Sequence, residues 1–245
     1  MKYINNAFFS IVRILLIAVI VGSSGFINAA VITTGCANSN LSCSMDELFG
    51  GASFIINDKL FDNFQLFDEF FSSPVGPDYG QVDVFFDDQI NNPGIWFNIN
   101  NQFTVFDADF LYIDFGFNVW TLDGKPKIKD STLGISDFNF GDTGGLMQID
   151  EAIFDQFGNF LGDKHVEIDN FFGTEILEDS IDFTPQAHLF IENEIWIEGD
   201  FLGDEVELVS FHQHFSQIPE PCTPRLIAMG FSGLLLKYRK KTVKL

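Results

Sequence analysis

Leu111-Tyr112-Ile113-Asp114-Phe115-Gly116-Phe117-Asn118-Val119 places an apolar residue at every second position, the period of a strand that buries one face and leaves the other in water. Segments of similar character surround it at residues 82–86, 95–99, 146–157, 160–168, 187–197 and 206–215. Gly158-Asn159 between two of them is a hairpin signal, and Asp123-Gly124 reads as another tight hairpin turn. Towards the N-terminus, residues 45–51 read as a short helical turn. Residues 53–64 then read as a strand, an Asn57-Asp58 turn and a second short apolar segment, and Ser72-Ser73-Pro74-Val75-Gly76-Pro77-Asp78 is loop chemistry. Helical spacing is not found over any comparable length. The pattern predicts an all-β fold, an antiparallel β-sandwich of jelly-roll-like or Ig-like type.

The two ends of the chain are different. Lys2 and Arg13 precede the apolar run 14–21, which is followed by Gly22-Ser23-Ser24-Gly25 and the small pair Ala29-Ala30. This predicts a secretory signal peptide over residues 1–30, with a signal helix and cleavage after Ala29 or Ala30. At the other end, Pro219-Glu220-Pro221 is followed by the apolar segment 226–236 and a basic tail containing Lys237, Arg239, Lys240 and Lys241. As a helix that segment rises roughly 16 Å against the ~30 Å of a bilayer core. Basic residues flanking an apolar segment stay on the cytoplasmic side. The organisation is therefore a signal peptide at 1–30, a sandwich ectodomain at 31–217 and a C-terminal signal with a short membrane-anchor helix at 218–245.

The triplet, apolar run and basic end resemble the PEP-CTERM sorting signal of exported Gram-negative bacterial proteins. The resemblance extends to looser phrases: Asn57-Asp58-Lys59 with its neighbouring phenylalanines, the strand containing Glu151, the Gly158-Asn159 turn, and the closing stretch from Ser210 to Pro219. It implies that Pro219, Glu220 and Pro221 are read by an exosortase, a membrane-embedded transpeptidase-like enzyme. Signal peptidase would act at the other end. It also implies transient inner-membrane anchoring, then the cell surface or an exopolysaccharide matrix.

Charge narrows the partners. Between Val31 and Pro221 stand all 35 acidic residues, against Lys59, Lys125, Lys127, Lys129 and Lys164 as the only lysines and no arginine. Such a surface repels nucleic acid and anionic lipid, and favours cations or neutral polymers. Solubility of a Phe-rich exported chain is reason enough for the acidity. Cys36 and Cys43, close together in an exported context, form the expected disulfide. Cys222 reads as a small apolar residue at the membrane boundary.

No catalytic constellation is present, and the chain reads as non-enzymatic. Gly-x-Ser-x-Gly and Gly-rich phosphate loops are absent, and among 35 carboxylates chance pairs carry no weight for glycoside hydrolysis. His212 and His214 share a strand face, but no third ligand is assigned, so no metal site is expected and the pair reads as solvent-facing. Asp87-Asp88, Asp107 with Asp109, and Asp137 to Asp142 leave room for weak calcium binding, without the alternating pattern of a calcium loop; no cofactor is expected. Trp96, Trp120 and Trp196 have flat faces that suit stacking on extracellular polysaccharide, and Trp120 and Trp196 are out of phase with their aliphatic neighbours, which points them outward. Core or inter-sheet packing is the competing and preferred account of them. The main expectation is thus an exported, PEP-sorted surface protein, with a glycan-binding module, with or without calcium, as the alternative and a secreted hydrolase behind both.

Overall fold

The structure, a computed structural model, describes residues 31–38, 42–89, 92–141, 144–200, 203 and 205–218. The expected signal segment, and the sorting segment from Pro219 onward with Cys222, lie outside the described residues. Among the described residues no helix is long and apolar enough to cross a membrane.

Two antiparallel sheets face each other. The large one runs, in spatial order, β1 (Ile32–Thr34), β3 (Ser53–Ile56), β4 (Lys59–Phe71), β8 (Phe110–Thr121), β14 (His188–Gly199), β10 (Gly145–Asp155), β11 (Phe160–Asp169) and β12 (Thr174–Ile176). The small one runs β13 (Glu178–Gln186), β9 (Ile128–Phe140), β15 (Glu205–Gln217), β6 (Gly94–Asn98), β5 (Asp83–Asp87) and β2 (Ser42–Ser44), with β7 (Thr104–Phe106) paired to the start of β15. The antiparallel sandwich expected from the alternation is therefore observed. The short helix α1 (Met45–Phe49) stands where a helical turn was expected, with the Ser44 hydroxyl accepting from Glu47 N and the Glu47 carboxylate accepting from Ser44 N. Cys36 and Cys43 form a disulfide, Cα atoms 5.0 Å apart.

The Asp123-Gly124 expectation is corrected. A turn does form, Lys125 N donating to Leu122 O, but it joins β8 to β9, which lie in opposite sheets. Each long strand is already paired on both edges, β8 by β4 and β14, β9 by β13 and β15. The turn chemistry reverses the chain without choosing the partner. Gly158-Asn159 does make a hairpin, between β10 and β11.

The core is built mainly from isoleucine and phenylalanine. Leu111, Ile113, Phe115, Phe117 and Val119 of β8 all point inward, and the Phe97 and Phe211 rings of the small sheet stack at 4.3 Å. Burying each such ring stabilises the fold by roughly 2–3 kcal/mol. Two lysines also enter this interior. Lys59 donates to Asp58 Oδ1 at 2.7 Å and to Gln217 Oε1 of the opposite sheet. Lys164 pairs with Glu151 Oε1 at 2.6 Å and donates to Ser131 Oγ of the opposite sheet at 2.6 Å. Gln213, also from the small sheet, donates to Glu151 Oε2 at 2.6 Å and to Asn193 Oδ1. Burial pushes the Glu151 carboxyl up and the Lys164 ammonium down. Two of the phrases that carried the resemblance, Asp58-Lys59 and the Glu151 strand, supply these polar bridges between the sheets.

Candidate functional site

The alternation that sends β8 into the core fixes what faces outward. On the outer face of the large sheet, Trp120, Asn118, Gly116, Asp114, Tyr112 and Phe110 stand directly opposite His188, Phe190, Glu192, Glu194, Trp196 and Glu198 of β14. Trp120 and Trp196 are therefore on one face, outside the core, which corrects the preferred expectation that they pack in the core or between the sheets. Their rows are eight residues apart along β14, about 27 Å at strand rise.

Each tryptophan heads an aromatic group. Trp196 stacks flat on Phe110, centroids 5.5 Å apart and planes 5° apart, and lies 6.1 Å from Tyr112, which itself stacks on Phe70 at 5.9 Å. Its indole N–H donates to Glu198 Oε2 at 3.1 Å. Trp120 stacks on His188 at 3.7 Å and donates to Asp62 Oδ1 at 2.9 Å; burial lowers the His188 pKa. Phe67 and Phe190 meet over Gly116, where a Cβ would lie 2.8 Å from each ring. The glycine is what lets both rings lie on the sheet.

Between the aromatic groups runs a row of carboxylates. Asp68, Asp114, Glu194 and Asp150 are successive cross-strand neighbours, ending at His165. Burial, with Glu192, Glu194 and Asp68 nearby, pushes Asp114 up to about 6, and burial with the same acids pushes Tyr112 up to about 12. At the far edge His165 Nδ1 lies 2.6 Å from Asp150 Oδ1. Burial alone would lower its pKa, but Asp150 and Glu167 outweigh it and hold the imidazole above its ordinary value. Neither lysine of these strands relieves the face: Lys59 and Lys164 are both buried in the core.

At the Trp196 end the face opens into a cleft of about 220 Å³, lined by Leu146, Asp169, Phe171, Phe172, Glu198 and Asp200 among others. Asp169 Oδ1 accepts from the backbone N–H of both Phe171 and Phe172, at 2.8 and 2.9 Å. That fixes the turn and leaves the two rings 62% and 80% exposed. The cleft thus joins flat aromatic walls to carboxylate acceptors, the pairing that holds a sugar ring by its apolar face and its hydroxyls.

The other sequence candidates fall elsewhere. His212 and His214 share the outer face of the small sheet, centroids 5.0 Å apart, but the solvent-facing expectation is corrected for His214. It is 8% exposed because it leans over Gly94 to Asp87 Oδ2 at 2.9 Å. Burial and its neighbour His214 lower the His212 pKa. Asp107 accepts from Gly203 N and Asp109 from Ser72 Oγ. Among the described residues no group of three or more His, Cys, Asp or Glu side chains is placed to hold a metal ion. Sequence reasoning missed Phe70, Phe110 and Tyr112 as partners of Trp196, and Phe171-Phe172 as cleft walls. An out-of-phase aromatic next to an alternating run was the available signal.

No family profile matches the chain, and no curated protein matches it. Among solved structures, the enzymatically active domain of a bacteriophage CBA120 tailspike is 14% identical, aligned over 64% of this chain and 19% of that one, with a TM-score of 0.23. The module TmCBM61, solved with β-1,4-galactotriose, is 15% identical over 59% of this chain and 86% of its own, with a TM-score of 0.24. The mannan-recognising module TmCBM27 is 11% identical over 64% and 99%, with a TM-score of 0.26. Likenesses at these scores are too low to bear on fold or function.

Proposed function

We propose that this is an exported, non-enzymatic protein that binds polysaccharide on the outer face of its large sheet, with Trp196 as the anchor. The observation that carries the reading is the Trp196 group: an indole stacked on Phe110, flanked by Tyr112 and bonded to Glu198, which lines a cleft with two exposed phenylalanines and two further carboxylates. The acidity of the face restricts the ligand to neutral or amine-bearing glycans, since uronates and sulfates are repelled. Trp120, at the other end of the same face, provides a second stacking position for a long chain. Export through a signal peptide, with exosortase sorting at Pro219, Glu220 and Pro221 and release to the cell surface or matrix, is the setting we propose for it. The Cys36–Cys43 disulfide supports an oxidising compartment.

The test is calorimetric titration of the ectodomain with exopolysaccharide from the producing cells. Trp196→Ala is expected to weaken binding at least about tenfold, close to 1.4 kcal/mol, with the fold retained and the melting temperature only slightly lowered by the lost cross-strand stacking. Wild-type protein that binds no neutral polysaccharide overturns the reading. Sorting is tested separately by intact mass and fractionation of native protein, with the triplet present or replaced by alanines. Equal mass and location for both forms removes the triplet from the account.

A further inference from the structure

The small sheet has an outer face that the site above does not use, and it repeats the same chemistry. Phe85, Trp96 and His212 form one cross-strand row on β5, β6 and β15. Phe85 is 40% exposed and Trp96 38%. The Trp96 indole stacks on His212 at 5.0 Å with planes 21° apart. His212 in turn lies across Gly134, where a Cβ would fall 2.5 Å from its Cε1, and its Nδ1 is 2.6 Å from Ser136 Oγ. The imidazole is held from two sides and keeps the indole in place.

Two residues further along β15, His214 stands opposite Thr132, and two beyond that Ser216 stands opposite Asp130. There, about 13 Å from the Trp96 row at strand rise, lies a second cleft, of about 490 Å³. Thr132, Ser180, Ser216, Asp130, Asp182 and Lys129 are among its lining residues. The Ser216 hydroxyl oxygen is itself buried, so Thr132 and Ser180 supply the hydroxyls of the cleft. Two hydroxyls, the carboxylates and the Lys129 ammonium, paired with Asp130 at 2.6 Å, offer donors and acceptors for sugar hydroxyls one to a few sugar residues along from the stacking plane.

Resting on the reading of the large sheet as a glycan-binding face, we propose that the outer face of the small sheet, built on Trp96 and the adjoining hydroxyl-lined cleft, is a second glycan site. One sandwich then holds two neutral polysaccharide chains on opposite sides. The sites face away from each other across the core, so neither occupant blocks the other. Crosslinking of matrix strands follows from geometry alone, because one rigid body with sites on opposite faces engages two strands at once.

The probe is a neutral hexasaccharide fraction cut from the exopolysaccharide of the producing cells, titrated into wild type, Trp96→Ala, Trp196→Ala and the double variant. Circular dichroism melting checks each fold. Wild type is expected to bind two hexasaccharides per molecule, each single variant one, and the double variant none. With the intact polymer, wild type should raise solution viscosity several-fold while neither single variant does. Trp96→Phe, which keeps a stacking plane, should retain most of the second site. One hexasaccharide per wild-type molecule, with Trp96→Ala unchanged, overturns this inference and leaves the first reading standing. No binding by wild type at all overturns both.

Discussion

Glu151 and Lys164 are the residues whose chemistry the fold constrains most. They stand directly opposite each other on β10 and β11, fully buried, with the opposite sheet supplying Ser131 and Gln213 as further partners. Removing one charge strands the other in the core, which costs about 3–5 kcal/mol, whereas replacing both with apolar groups of similar volume is much closer to neutral. Glu151→Ala should therefore lose about 3–5 kcal/mol in urea denaturation, and the double Glu151→Leu, Lys164→Met variant should lose clearly less. Asp114 makes a second residue-level prediction, through pH. Its carboxyl is pushed up to about 6 in the fold from the ordinary 3.8, so the folded state holds this proton more tightly than the unfolded chain does. Stability from this group is then present at acid pH and lost as pH rises from about 4 to about 6. Asp114→Asn should melt higher than wild type at pH 8, and the difference should vanish near pH 4. A constant difference across that range would show that Asp114 titrates as an ordinary surface carboxylate.

Among the elements, β8 was legible because its alternation is unbroken, and β14 because its inward and outward positions are equally regular. The strand β4 was read only in part. Its register with β8 shifts between Asp62 and Gln65 and again between Leu66 and Asp68, with Asn63 in the left-handed region, and each bulge resets the period that sequence reading relies on. The strand β13 escaped because it is a polar edge strand containing Pro185, where the missing N–H is tolerated and few side chains are buried. The candidate site was legible only in Trp120 and Trp196. Phe171 and Phe172 owe their place to a turn held by Asp169, and Phe110 and Tyr112 became partners of Trp196 only through strand register, which no single segment encodes. Glycines record the same long-range fit. A Cβ at Gly94 would lie 2.3 Å from His214 Cδ2 and 2.4 Å from the backbone oxygen of Gln213. Only the imidazole can move aside cheaply, so β6 must shift from β15. Gly94→Ala is expected to destabilise by about 1–3 kcal/mol and to break the His214–Asp87 contact, visible as a change in the His214 imidazole NMR signals.

At the scale of the whole molecule, charge is the property that the fold makes worse. Of the five lysines of the ectodomain, Lys59 and Lys164 are withdrawn into the core, leaving Lys125, Lys127 and Lys129 to face the acidic surface. Like charges on a compact body repel, and unfolding relieves the repulsion by spreading them apart. Added salt screens this, since the Debye length falls from about 30 Å at 0.01 M to about 3 Å at 1 M. The melting temperature should therefore rise with sodium chloride, at about 2–4 °C for each kcal/mol of repulsion removed. The choice of salt separates general acidity from a built calcium site. If the carboxylate rows act only as a diffuse field, calcium and magnesium chloride at equal ionic strength will raise the melting temperature equally. A larger and saturating shift with calcium would mean that some of these carboxylates are arranged as ligands, because magnesium demands a stricter geometry and keeps its water. We expect equal shifts, in keeping with Asp87, Asp107 and Asp109 each being engaged by a protein donor or imidazole.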